Sequence, residues 1–331
     1  MKTYLGDYLY SRGLMSGAQC DDVLNIEHFL TNDNFAEQSE LAYKIIFEEE
    51  PDPIVFTGHK FFRTKVVHPL FSRVDLMEKG LHLFRMMFAR HAYELRRSSN
   101  CNREMDDNGV VVIENFLPDV LAGKVKEEIL SFSLGENIQS HNKISSQHPN
   151  IQSMLIDKGV YKICAGAAHR RVTDDAAWNH FQDTTYVQRL KNDPNNGDIQ
   201  KVCHSDVFYP CLKYWYFPED VTVDDGPFMY AKKSNVITEE QLDFFYRESV
   251  LVAKDEWDTS RNKGHGEGSF RAMPNDLETM NVKLEPITAK ANSLVIADTS
   301  GFHCRGDVRS STIRSAVHGA IRVETPFDTY D

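Results

Sequence analysis

Between Cys211 and Pro218 the chain reads Leu-Lys-Tyr-Trp-Tyr-Phe, with Lys213, Trp215 and Phe217 alternating against Leu212, Tyr214 and Tyr216. Strand side chains point to opposite faces in turn, so an extended run like this one has bulk on both sides and no side to leave in water. It requires a layer on each face. Other short runs rich in β-branched residues accompany it at 109–116, 184–190, 294–297 and 312–323. Turn signals separate them: residues 191–198 form one, and Asp224-Asp225-Gly226 forms another, which predicts a hairpin into Pro227-Phe228-Met229-Tyr230. Several strands with turns and few helices between them predict an antiparallel, mainly β fold with flanking helices (α+β), most simply a double-sheet jelly roll.

Residues 1–100 read differently. Met77, Leu81, Phe84, Phe88 and Leu95 recur at helical spacing and predict one helix ending near residues 98–100. Phe35, Leu41, Ala42, Ile45 and Ile46 trace a second, stopped by Pro51-Asp52-Pro53. His59, His68, His82 and His91 are scattered along this region and read as packed or surface histidines rather than ligands. The polar stretch 101–108 marks a boundary, giving a helical N-terminal region over 1–100, suited to a lid, a packing layer or a dimer contact, and a β domain over 101–331. Within that domain Leu117, Val120, Leu121, Val125, Ile129 and Phe132 trace one helix face. Thr238-Glu239-Glu240-Gln241 is a capping box opening another. Residues 257–290 read as an insert whose Gly264-His265-Gly266-Glu267-Gly268 is a loop rather than a phosphate cradle.

Composition sets outer limits. With 331 residues and 41% apolar content the chain can bury a real core, and its net charge of −12 offers no general attraction to phosphate backbones, so nucleic acid is not the expected partner. No run is long and apolar enough to span a bilayer, and the first residues lack a signal-peptide pattern, which places the expected location in the cytoplasm. The six cysteines show no CxxC spacing and read as free thiols.

The chemistry concentrates in Cys203-His204-Ser205-Asp206, answered about a hundred residues on by Asp298-Thr299-Ser300-Gly301-Phe302-His303. On a strand, His204 and Asp206 share a face, and a re-aimed His303 can complete a set of two histidines and one carboxylate, the ligand pattern of non-heme Fe(II) oxygenases. A zinc site drawn from Cys203, His204, His303 and Cys304 is the alternative. Adjacent strand residues point apart, which argues against Cys203 joining His204 on one tetrahedral ion; Cys304, near a bend, is less constrained. Eleven residues beyond His303, Arg314 opens an alternation in which Arg314, Ala316, His318, Ala320 and Arg322 share one face. That face suits either the wall of a polar pocket or a solvated sheet edge. Arg314 can hold a carboxylate through two parallel hydrogen bonds.

Taken in order, residues 109–116, His204-Ser205-Asp206, Asp224-Asp225-Gly226-Pro227-Phe228-Met229-Tyr230 and residues 297–303 with Arg314 resemble the phytanoyl-CoA dioxygenase family of Fe(II)/2-oxoglutarate oxygenases over roughly residues 109–324. The resemblance implies a double-stranded β-helix (cupin-like) core, iron held by His204, Asp206 and His303, and the distal carboxylate of 2-oxoglutarate held by Arg314. It also implies Gln188 near the cosubstrate, and a reaction that oxidises a small molecule with O2 and releases succinate and CO2. The related halogenases lack the carboxylate ligand, so Asp206 sets this chain apart from them. Two departures stand out: Ala231-Lys232-Lys233-Ser234-Asn235 replaces a Pro-Gly-Ser-His segment found in many members, and residues 1–100 match no family feature. Lys213, Trp215, His265, Arg271 and His318 are candidates for lining a substrate pocket, each with a structural alternative in sheet stacking, a loop or a salt bridge. A noncatalytic metal- or ligand-binding β-sandwich is the rival from another class.

Overall fold

Each predicted strand finds a place in one of two antiparallel sheets. The computed structural model describes residues 3–59, 68–96, 103–135, 142–156, 159–160, 163, 184–191, 198–254, 269–309, 312–321 and 326–329. In chain order the strands are β1 (Val110–Ile113), β2 (Asn142–Lys143), β3 (Tyr186–Lys191), β4 (His204–Ser205), β5 (Leu212–Phe217), β6 (Phe228–Tyr230), β7 (Phe270–Arg271), β8 (Glu285–Ile287), β9 (Ser293–Asp298), β10 (His303–Arg305) and β11 (Ile313–Ile321). The larger sheet runs β1-β9-β5-β11-β3-β2 and the smaller one β7-β4-β10-β6-β8. From β3 to β6 and again from β8 to β11 successive strands cross from sheet to sheet: β3, β5, β9 and β11 belong to the larger, and β4, β6, β8 and β10 to the smaller. This is a double-stranded β-helix, a jelly roll with flanking helices.

The crossing explains why Asp224-Asp225-Gly226 is not a hairpin turn. β5 pairs with β9 and β11, while β6 pairs with β8 and β10, so the turn carries the chain between layers. Its local chemistry is as the residues suggest, with the Asp225 carboxylate accepting from Thr222 N and Oγ1 and Gly226 at φ +63°. Only the strand pairing differs, because a ten-residue connection does not fix register as a two-residue loop does.

Register sorts the two faces of the larger sheet. Leu212, Tyr214, Tyr216, Leu294, Ile296, Val317 and Ile321 form a buried cluster with Val125 and Ile129 of helix Asp119–Ser131 and with Ile151 and Met154 of helix Pro149–Ile156. Val120, expected on the inner face of the first of these helices, is 75% exposed instead. The opposite face packs Phe217, Val295, Ala297 and Ala316 against Phe228, Tyr230 and Ile287 of the smaller sheet, with Trp215 against them. The two-sided bulk of β5 is thus satisfied by helices outside and a sheet inside.

Helices Leu5–Ser11, Gly17–Phe29, Phe35–Phe47, Val74–Glu78 and Leu81–Leu95 make up the N-terminal region. The single helix expected through Met77 and Leu95 is two, broken at Gly80, whose φ is +94° and where a Cβ would stand 2.9 Å from Leu9 Cδ2. The helix before Pro51 ends at Phe47 on a left-handed Glu48, ahead of the prolines. The polar boundary is in part structured: Arg103–Asn108 is helical, with Met105 buried. Within the expected insert, residues 269–290 hold β7, helix Pro274–Thr279 and β8, and the glycine loop with His265 lies outside the described residues. The capping box at Thr238 is present and opens helix Glu239–Ala253. Among the described residues no helix is long and apolar enough to cross a membrane.

One buried cluster joins the helical region to the smaller sheet. Leu76, Phe84 and Phe88 share it with Phe208, Phe245, Phe270, Phe302 and Phe327. Arg85 lies inside it, fully buried, its guanidinium over the rings of Phe71 and Phe208 at 4.6 and 4.3 Å and donating to the carbonyls of Val55, Thr57 and His59. Those carbonyls engage Nε and Nη2, and burial pushes this guanidinium down to about 9.

Candidate metal centre

β4 and β10 lie side by side in the smaller sheet with His204 directly opposite His303. Paired residues share a face, so the two rings meet with centroids 4.5 Å apart. Asp206, just past the end of β4, keeps the parity of His204: its Oδ1 lies 3.7 Å from His204 Nε2 and its Oδ2 3.7 Å from His303 Nε2. The three side chains are buried, and their ligand atoms fall within 4.8 Å of one another, the one such group among the described residues.

The donor chemistry fits a metal ion. His204 Nδ1 is 2.8 Å from the carbonyl of Val202 and 3.2 Å from Arg271 Nη1, and His303 Nδ1 is 2.9 Å from the carbonyl of Gly301; in the tautomer with the proton on Nδ1, each ring donates to the carbonyl two residues back. That leaves both Nε2 lone pairs facing Asp206, the second-sphere arrangement that orients metal-bound histidines. Burial pushes both imidazoles below the usual histidine range, with the neighbouring His303 adding to the effect on His204 and Asp206 opposing it on both. Neutral imidazoles are the form that ligates.

Backbone contacts hold the two ligand segments together. Asp206 N donates to Thr299 O, and Ser205 Oγ donates to Ser300 O. Asp298 Oδ1 accepts from Cys211 N, Ser300 N and Ser300 Oγ, which shapes the bend that re-aims His303. Arg90, from the N-terminal region, reaches this bend through Ser300 Oγ at 3.2 Å and Asn235 O at 2.6 Å. Cys203 and Cys304 lie on the far side, in the apolar cluster shared with the helices, as strand parity requires.

The inner face of the larger sheet, opposite these ligands, carries most of the other predicted residues. Register places Lys213 and Trp215 of β5 beside Ala320 and His318 of β11, and Ala316 beside Gln188 of β3, with Arg314 further along the same face. β11 lies between β5 and β3, so this face is not a solvated sheet edge. Lys213 Nζ crosses to Asp206 Oδ2 at 2.5 Å. Trp215 packs on Phe228 at 4.6 Å between centroids, and Phe228 on His303 at 5.5 Å. Arg314 donates to the carbonyl of Gly226 and lies near Arg305, Asp198 and Asp225; burial and the Arg305 charge push it down to about 9. Arg271 belongs to the smaller sheet, on the face of the ligands: it pairs with His204 across β7 and β4, its Nη1 lies 3.2 Å from His204 Nδ1, and it donates to the carbonyls of Ile199 and Val202, bracing the carbonyl beside His204. His265 lies outside the described residues.

Two contributors escaped the sequence reading. Arg305 shares the parity of His303 on β10 and forms a buried pair with Asp198 at 3.3 Å, a position that counting by twos would have marked. Arg90 gave no comparable signal, since nothing local ties a helix residue to a bend two hundred positions away.

No protein-family model matches the chain, and no curated protein does. Among solved structures the chain is similar to the epimerase SnoN in complex with Fe3+, alpha ketoglutarate and nogalamycin RO, at 12% identity over 66% of this chain and 80% of that one, with a TM-score of 0.40. It is similar to the non-heme alpha ketoglutarate dependent carbocyclase SnoK at 12% identity, 67% and 83% coverage and a TM-score of 0.39. It is also similar to HygX from Streptomyces hygroscopicus with nickel, 2-oxoglutarate and hygromycin B bound, at 12% identity, 65% and 83% coverage and a TM-score of 0.35. Similarities this distant do not assign chemistry to the present site.

Proposed function

We propose that this chain is an Fe(II)- and 2-oxoglutarate-dependent oxygenase that hydroxylates a small molecule with release of succinate and CO2. The observation that carries the reading is the convergence of His204 Nε2, His303 Nε2 and Asp206 within 4.8 Å, with both Nδ1 atoms committed to backbone carbonyls. Two histidines and one carboxylate on one side of an ion leave positions open for a chelating cosubstrate and O2. Bound iron and cosubstrate supply the oxidising power toward an unactivated C–H bond; the protein's own residues bind, orient and exclude water.

Arg314 is the residue to receive the distal carboxylate of 2-oxoglutarate. Half-buried beside Arg305, it is a cation whose surroundings favour an added anion, and a guanidinium meets a carboxylate through paired hydrogen bonds. Gln188, on the neighbouring strand of the same face, supplies a polar contact to the cosubstrate. Trp215 and Phe228 form an apolar wall against His303 that keeps water from the ligand side.

Purified protein given Fe(II), 2-oxoglutarate and O2 is expected to release succinate, and His204→Ala and Asp206→Ala to abolish that release. Arg314→Ala is expected to raise the 2-oxoglutarate requirement roughly ten- to hundredfold, the value of a charge-assisted carboxylate contact. Metal binding with no affinity for 2-oxoglutarate would instead mark a noncatalytic binding protein, and unchanged turnover in all three variants would remove the site from consideration.

A further inference from the structure

We propose that Lys213 forms an anion-binding position beside the metal ligands, holding the carboxylate of the cosubstrate nearest the ion and restricting Asp206 to one donor oxygen. This rests on the function proposed above. The two oxygens of Asp206 have different neighbours: Oδ1 faces His204 Nε2, while Oδ2 faces His303 Nε2 and is ion-paired to Lys213 Nζ at 2.5 Å. The ammonium thus comes from the opposite sheet to one oxygen of a ligand that a divalent ion must share.

Lys213 also has room. Its register neighbours on the inner face are Ala297 on β9 and Ala320 on β11, the smallest side chains that leave a strand intact. Two residues along β5, Trp215 faces Val295 and His318 and packs against Phe228, so the bulk of this face begins where the lysine ends. The Lys213 side chain keeps 26% of its surface exposed, against 10% for Asp206. A cation next to the ligand set, over small neighbours and open to solvent, repels a bare divalent ion and attracts an anion that arrives with it. Arg314 takes one end of 2-oxoglutarate; Lys213 takes the end that the ion also holds.

Those two effects have opposite signs, which separates them from a structural role. In the full chain, Mn(II) affinity read by electron paramagnetic resonance is expected to rise about tenfold in Lys213→Met, because the competing ammonium is gone. Binding of oxalate and of 2-oxoglutarate to the Mn(II)-loaded variant is expected to fall by about tenfold or more. Lys213→Gln should behave like Lys213→Met, and Lys213→Arg should restore much of the anion binding. Arg314→Ala should weaken 2-oxoglutarate and spare oxalate, which has no distal carboxylate. If Arg314→Ala loses 2-oxoglutarate while Lys213→Met keeps wild-type oxalate affinity, the function stands and the role of the lysine falls. Parallel losses of Mn(II) and oxalate in both uncharged variants would also overturn it, as a sign of structural damage. Wild-type protein that binds Mn(II) but neither anion would overturn the function and this inference together.

Discussion

His204 and His303 are held by the same device, a ring N–H donated to the carbonyl two residues earlier, and both sit opposite one carboxylate. His82 shows what burial among aromatic rings does to an imidazole. It lies 2% exposed among Phe208, Phe245 and Phe270, and burial, with the nearby Arg85 adding to it, pushes it down to about 3. An unfolded imidazole takes up its proton near pH 6.5, whereas this one refuses it until about pH 3. Its contribution to stability is therefore complete above pH 6.5 and is lost as pH falls toward 3, at up to about 1.4 kcal/mol per pH unit. Thermal unfolding of His82→Leu followed from pH 7 to pH 4.5 should show a shallower fall than the wild type; equal slopes would count against the burial argument. At this scale the sequence was most legible where strand parity applies: His204 with Asp206, Cys203 away from them, Lys213 with Trp215. It was least legible for Arg271, which strand alternation alone cannot distinguish as a pocket residue or a brace for a neighbouring carbonyl.

Between β9 and β10 four residues turn the chain so that His303 meets His204, and Gly301 is the tightest point of the turn. A Cβ there would stand 2.3 Å from Tyr230 Oη and 2.9 Å from Ser234 Oγ, groups already donating to Asp298 O and accepting from Phe302 N. Gly301→Ala is expected to cost roughly 1–3 kcal/mol through this overpacking, read as a lower melting temperature, and to weaken Mn(II) binding by moving His303. Normal metal affinity in a folded Gly301→Ala protein would show that the bend does not set the ligand's place. Strands and their faces could be read from local alternation, because a period of two is written into each run. Pairing could not: the Asp-Gly turn suggested a hairpin, and the strand it leads to joins the other sheet. The break at Gly80 was also missed, since an apolar stripe continues across it and what demands the glycine, a φ of +94° and the close approach of Leu9, is not written in the local pattern.

The helical region and the smaller sheet share a core, and that sharing was outside what composition or periodicity could reveal, because it depends on which aromatic residues meet across more than a hundred positions. Deleting residues 1–95 is expected to leave Phe208, Phe245, Phe270, Phe302 and Phe327 without their cover. The shortened protein should bind a hydrophobic dye strongly and unfold without a sharp transition; a cooperative melt with no dye binding would show that the β domain stands alone. The ledger of contacts also runs the other way. Phe327 packs edge-on against Phe56, and Arg96 donates to the carbonyls of Pro326 and Asp328, so residues near position 327 complete a core begun before position 60. A ribosome adding ~5–20 residues per second needs roughly 12–46 s to travel from residue 95 to residue 327. For that interval the first helices emerge with their apolar faces uncovered, which makes the speed of translation, and the chaperones that meet the nascent chain, part of what this architecture depends on.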